Sequence, residues 1–282
     1  MKFSLWRQYG ALNSQPVWDA FEHSLIKAGH EVVHNHPSSD VDVIWSVLWH
    51  GRMSRNREIW MRAQKNNKPV IVIEIGGIQR GNTWRIGLNG INRDAYFAPT
   101  GNDCSRANRL RLNLKPWKES GEYILICGQH ERSQQWDKLP PMRKWVSDQI
   151  AKIRTHTDRP IVFRPHPRSP VPRLEKQFKD ITIQLPQKQK GTYDDFDMRF
   201  QGAHCVVSWS SNPGPYAVIA GYPVFVGASS LAWDVGNSDY SRIESPVMPD
   251  RTQWLNDYAH TEHTLDEIRQ GIPLNYLTKK LS

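Results

Sequence analysis

At 282 residues, 38% hydrophobic and 23% charged, the chain has the profile of a soluble globular protein with room for two domains. No window approaches the run of roughly 18 apolar residues of a membrane span, and the start, MKFSLWRQYG, lacks the apolar core of a signal peptide. The three cysteines, Cys104, Cys127 and Cys205, are too few and too scattered for a disulfide framework or a zinc site, so a cytoplasmic protein with no membrane partner is expected.

The net charge of +9 is uneven. Residues 1–50 hold three Lys and Arg against five Asp and Glu, residues 51–120 fourteen against five, and residues 121–282 twenty against eighteen. Such concentration suggests a polyanionic partner, because Lys and Arg on phosphates release counterions. The alternative is a basic surface that serves solubility.

Residues 2–9 read as a strand and 17–28 as a helix, with Val17, Phe21, Leu25 and Ala28 at helical spacing before Gly29. Residues 31–34 and 41–49 read as strands, 55–64 as a helix, and 69–75 as a buried parallel strand ending at Gly76-Gly77. Strands alternating with helices predict a parallel sheet covered on both faces. From 76 to 118 no period is legible, although Trp84, Ile86, Ile91 and Trp117 argue against disorder. A first domain over 1–114, a linker over 115–121 and a second domain over 122–282 follow from this pattern. In the second domain, strands are predicted at 122–127, 160–164, 181–185, 203–209 and 223–227, and helices at 142–155, 215–220 and 253–270. Two Rossmann-like α/β halves facing a central cleft are expected, with binding at the carboxyl ends of their strands.

Two segments carry chemistry. In Ile161-Val-Phe-Arg-Pro-His-Pro-Arg168 a strand ends in Arg164, His166 and Arg168, placed to meet an anion; the plainer reading is a turn with surface charges. After the strand ending near Ser208, the residues Ser210, Ser211 and Asn212 open a short helix whose free N–H groups favour a phosphate. Gly214 would let the backbone approach it. A simple N-cap is the alternative. Asp195 and Asp197 have the spacing of a metal-binding pair but read better as acids capping a helix.

The Arg-Pro-His-Pro step and the later strand–Ser-Ser–Gly–helix–Gly-x-Pro-Val unit resemble the C-terminal domain of GT-B glycosyltransferases over residues 122–228, in particular capsule-polysaccharide and glycerophosphotransferase-like members. The resemblance implies a nucleotide-sugar donor, a UDP-sugar first, held without an obligatory metal by the C-terminal half. Arg164, His166 and Arg168 would face it, with Gly128, Gln129 and His130 in the first loop and Ser208, Ser210, Ser211, Asn212 and Gly214 around the phosphates. Many relatives carry a ribose-binding Glu where Tyr216 stands.

The small size and basic N-terminal half also look like phage DNA glucosyltransferases, which implies duplex DNA with hydroxymethylated pyrimidines as acceptor and base flipping. A monomer is expected. Arg52, Arg55, Arg80, Arg85, Arg106, Arg109 and Arg111 are the candidate phosphate contacts, and Trp84 or Trp117 a stacking wedge. The alternatives are transfer to a capsule or wall polysaccharide, or a DNA-binding module without catalysis. Transfer needs a base for the acceptor hydroxyl and cations for the departing diphosphate. Glu74 at its strand end is the best-placed carboxylate, with His50 and Asp94 as rivals.

Overall fold

The computed structural model describes residues 1–178, 180–189 and 196–281. It divides into two compact units. Unit 1 comprises Met1–Leu110, Arg132–Gln134 and Asn256–Ser282; unit 2 comprises Arg111–Glu131 and Gln135–Leu255.

Unit 1 begins as a strand–helix alternation. β1 (Lys2–Leu5) leads through α1 (Gln15–Lys27) to β2 (Glu31–His34), and β3 (Val41–Trp45) leads through α2 (Asn56–Lys65) to β4 (Val70–Ile75). The four strands run parallel. Every residue of β3 is buried, because helices cover both faces. Alternate strand residues feed two cores: Phe3, Leu5, Val43 and Trp45 pack with Trp18, Phe21 and Leu25 of α1. Ile44, Val70 and Val72 pack with Ile59, Trp60 and Ala63 of α2. The expected strand 2–9 stops at Leu5 and turns into a 3-10 turn, Arg7–Tyr9. The expected strand 41–49 stops at Trp45, because Ser46 adopts a left-handed φ of 65°.

The segment without a legible period contains β5 (Trp84–Leu88), antiparallel to β4, and the short α3 (Ser105–Arg109). Its inward residues include Arg85, a charge where the pattern calls for an apolar side chain, so alternation is hidden.

Unit 2 holds β6 (Tyr123–Cys127), α4 (Met142–Arg154), β7 (Ile161–Arg164), α5 (Leu174–Gln177), β8 (Ile181–Ile183), β9 (Ala203–Ser208), α6 (Pro213–Ile219) and β10 (Val224–Val226). Its parallel sheet has the order β10-β9-β6-β7-β8. The chain steps outward from β6 to β7 and β8, then returns to lay β9 on the other side. The order therefore reverses between β6 and β9, and an open parallel sheet binds its ligand at the carboxyl ends beside such a reversal.

α7 (Thr252–Tyr258) ends unit 2's main run, and the chain then rejoins unit 1. β11 (Glu262–His263) pairs antiparallel with β5, and Ile268 of α8 (Leu265–Arg269) with Leu274 and Leu277 of α9 (Ile272–Leu281) enter the core beside α1. The single helix expected over 253–270 is thus broken into α7, a 3-10 turn (Ala259–Thr261), β11 and α8, and the domain expected over 122–282 gives its last segment to unit 1. Gly271, with φ at +83°, makes the break between α8 and α9.

Candidate functional site

Three loops meet at the reversal in unit 2. Gln129, after β6, accepts through Oε1 from the backbone N (3.1 Å) and Oγ (3.2 Å) of Ser210, after β9. Its Nε2 donates to Gln135 at 3.0 Å. The loop after β7 closes the third side, where the rings of His130 and His166 meet edge to face with centroids 5.4 Å apart. A Cβ on Gly128 would come within 3.1 Å of the His166 backbone N, so only glycine lets these two loops lie so close. The His166 Nδ1 accepts from the Arg168 N–H at 3.1 Å, which places the neutral ring's proton on Nε2 as a donor.

Gln129, His130, Ser208 and Ser210 are all buried. Among the described residues, the enclosed hydroxyls of Ser208, Ser211 and Ser229 have no partner within the protein. Buried hydroxyls are rarely left so, and each marks a place for a ligand or water. Ser229 and Gln135 were not legible as site residues, although Gly227-Ala-Ser-Ser after β10 repeats the strand–Ser-Ser pattern found after β9.

Other expected residues take different roles. Arg164 does not turn toward these loops; its Nε donates to Gln184 Oε1 at 2.8 Å and its Nη2 to the Arg199 carbonyl. Gly214 serves packing rather than phosphate approach. A Cβ there would sit 3.2 Å from Ser208 Oγ and 3.4 Å from Val226, so its absence seats α6 on the sheet. Asn212 makes no side-chain cap bond. Tyr216 packs against the core of α6, β9 and β10, and Arg168 is exposed. Asp197 pairs with Arg199 beside an isolated bridge rather than capping a helix, and Asp195 lies outside the described residues.

In unit 1, Glu74 stands at the carboxyl end of β4, next to the end of β3. Ser46 donates its Oγ to Glu74 Oε2 at 2.5 Å and accepts from the Leu48 N–H at 3.0 Å. The Ile75 N–H donates to Glu74 Oε1 at 2.9 Å. Burial nevertheless raises the Glu74 pKa, against the pull of these bonds and of Arg80 and Arg85. The residue keeps partial exposure, and a half-buried carboxyl with a raised pKa is suited to accept a proton. Ser46 carried no sequence signal beyond being polar within an apolar run.

His50 is exposed on the same side, with Arg132 Nη1 donating to its Nδ1 at 3.2 Å. Asp94 is not part of this group. Glu74 pairs with Arg85 at one end of the β4–β5 ladder and Ile71 with Leu88 at the other, so the turn after Leu88 that carries Asp94 lies at the opposite end.

The arginine set is divided. Arg85, 4% exposed, reaches Glu262 Oε1 at 2.8 Å, and Arg106, also 4% exposed, is bonded to Glu267 and to the carbonyls of Ala259 and Glu262. Both clamp the C-terminal segment from inside and are not phosphate contacts. Arg55 pairs with Glu58 at 2.7 Å; Arg52, Arg109 and Arg111 are exposed, and Arg80 is partly buried near Glu74. Trp84 packs against the unit 1 core, and Trp117 lies under the Arg251 guanidinium at 3.7 Å, so neither is a free wedge. By folded unit the charge is nearly even: 18 Lys and Arg against 13 Asp and Glu in unit 1, and 19 against 15 in unit 2. Among the described residues no three His, Cys, Asp or Glu gather as a metal site, and no helix is long and apolar enough to cross a membrane.

Two Rossmann-like units, each built on parallel strands, with antiparallel β5 and β11 extending the first sheet and the C-terminal segment returning to the first unit, define the GT-B fold. No protein-family model matches the chain, and no curated protein matches its sequence. Two solved domains of KpsC from Thermosulfurimonas dismutans share the fold. The β-Kdo 2,7 transferase superposes with a TM-score of 0.52 at 18% identity, covering 98% of this chain and 100% of that one. The β-Kdo 2,4 transferase gives 0.50 at 13% identity, covering 93% and 90%.

Proposed function

We propose that the protein is a glycosyltransferase that moves a sugar from a nucleotide donor to a hydroxyl of a polysaccharide, of the capsule or wall class. The observation that carries this reading is the Gln129–Ser210 tie across the strand reversal, beside His130 and His166 and lined with unpartnered hydroxyls. In this reading the donor's phosphates take hydrogen bonds from Ser208, Ser211 and the His166 Nε2 proton, while Ser210 holds the loops together through Gln129; the bonds stabilise the charge that develops as the bond from the anomeric carbon to the phosphate oxygen breaks. Glu74, held by Ser46, withdraws the acceptor's hydroxyl proton as the new glycosidic bond forms. Both solved neighbours are sugar transferases by name. The even charge of the two units and the burial of Arg85 and Arg106 remove the main support for DNA as the acceptor.

The test offers the protein a panel of nucleotide sugars, UDP-sugars and nucleotide-activated Kdo first, with oligosaccharide acceptors and hydroxymethylated duplex DNA. Mass spectrometry reads the products. Transfer to oligosaccharide is expected, with Ser211→Ala and His166→Ala each weakening it by roughly tenfold or more through lost charge-assisted bonds. Transfer to DNA alone would overturn the polysaccharide acceptor, and no transfer from any donor would overturn the activity.

A further inference from the structure

Arg164 keeps one guanidinium nitrogen inside the protein without a partner. The residue is 6% exposed. Its Nε and Nη2 donate to the Gln184 side-chain oxygen and its Nη2 also to the Arg199 carbonyl, while Nη1 is enclosed and bonds to nothing among the described residues. Every acceptor it has is neutral. A buried cation with only neutral acceptors is uncompensated, and an anion delivered to it relieves that cost.

Arg164 lines a pocket of about 270 Å³ together with Gln184, Gln187, Arg199, Tyr123 and Gln201. Tyr123 opens β6 and Gln201 precedes β9, whereas Arg164 ends β7 and Gln184 follows β8, so the pocket includes residues from both ends of the strands. None of its lining residues belongs to the Gln129–Ser210 loops. Its lining holds two arginines and one acid, Asp197, and that acid is engaged with Arg199. The volume falls below the roughly 300–1,000 Å³ of drug-sized ligand sites. It suits a single phosphate or one acidic sugar ring, not a whole nucleotide.

We propose that this pocket is a second anion site, apart from the donor loops, which binds a small oxyanion, phosphate or carboxylate, on the guanidinium of Arg164 with Arg199 beside it. The site does not depend on the glycosyltransferase reading, since no residue of it belongs to the donor loops.

The experiment is thermal unfolding of the whole chain titrated with inorganic phosphate and, separately, with glucuronate, against sodium chloride at matched ionic strength. A ligand that binds only the folded state raises the melting temperature saturably. A Kd on the order of 1 mM is expected for whichever anion the pocket prefers. Arg199→Gln should weaken it roughly tenfold and Arg164→Gln should abolish it. Ser210→Ala, which alters only the donor loops, should leave it intact. If Arg164→Gln does not fold, the side-chain ¹⁵N resonances of Arg164 in the wild type decide, because a bound anion shifts them and an empty pocket does not. No stabilisation beyond the salt control, an effect equal in the arginine variants, or its loss in Ser210→Ala would each overturn the proposal.

Discussion

Glu74 is the residue we propose as the base, and its surroundings dictate two measurable consequences. As a base it must be ionised, and burial holds its pKa above the ordinary 4.5. Activity should therefore rise with pH across that raised value. Glu74→Gln keeps the shape and removes the basicity, so turnover should fall by roughly 10²–10⁴ and the acid limb of the pH profile should vanish. The same shift links to stability with a definite sign. The folded state binds this proton more tightly than the unfolded chain, so the group costs nothing below pH 4.5 and lowers stability as pH rises through its folded value. Glu74→Gln should consequently unfold at a higher temperature than the wild type near neutrality, with the gap closing toward pH 4; a gap that widens on acidification would contradict the raised pKa. Glu74 was legible in the sequence, because a carboxylate ending an apolar strand is conspicuous. Ser46 was not, since its role rests on a left-handed backbone and a neighbour 28 positions away.

At the level of elements, β11 acts as a clamp on the turn that follows Glu74. The Glu262 carboxylate is fully buried and accepts from the Gly77 N–H (2.7 Å), the Ile78 N–H (2.8 Å), Thr83 Oγ1 (2.8 Å) and Arg85 Nη2 (2.8 Å). Glu262→Gln removes the carboxylate that pairs with the buried Arg85, a loss of about 3–5 kcal/mol. The exposed Arg55–Glu58 pair offers the control, since solvent screens it and Glu58→Gln should leave stability nearly unchanged. Denaturant midpoints of the two variants compare them directly, and similar values would show that Glu262 is not a clamp. Gly76→Ala should be as damaging, because its Cβ would meet the Thr83 carbonyl oxygen at 2.3 Å and Glu262 Oε2 at 2.4 Å. The clamp continues into α8. Burial, reinforced by Arg106, lowers the His263 pKa to about 3, and Arg106 and the Thr264 N–H bring Glu267 down to about 2 against the opposing effect of burial. Both groups bind fewer protons when folded, so their contribution is lost as pH falls, from the ordinary 6.5 for His263 and 4.5 for Glu267. Amide exchange in residues 256–281 should accelerate between pH 6 and 4 more than in α4 of unit 2. The parallel strands and their helices were legible through period, whereas β5, β11 and the breaks between α7, α8 and α9 were not. Their order comes from buried charges paired across the chain, which carry no local pattern.

For the whole molecule, the misleading feature was charge read along the sequence instead of through space. Arg106 and Glu267 lie 161 positions apart, and Arg85 and Glu262 lie 177 apart, so the run of arginines in residues 51–120 is partly neutralised by the returning C-terminus. Arg52, Arg109 and Arg111 stay exposed, and Arg109 also lies 3.8 Å from Glu267. A protein that neutralises several phosphates shows log affinity for duplex DNA falling against log salt with a slope of about −0.9 per contact. Here the slope should stay near that of one or two contacts, in keeping with a net charge of +9 spread over both units. Reversing Arg109 and Arg111 to Glu should weaken that residual DNA binding while leaving transfer to an oligosaccharide unchanged, because neither residue belongs to the Gln129–Ser210 loops or to the Glu74 group. The same pair of substitutions distinguishes the two acceptors. A steep salt slope that flattens in the double variant, with turnover falling in parallel, would restore DNA as the acceptor.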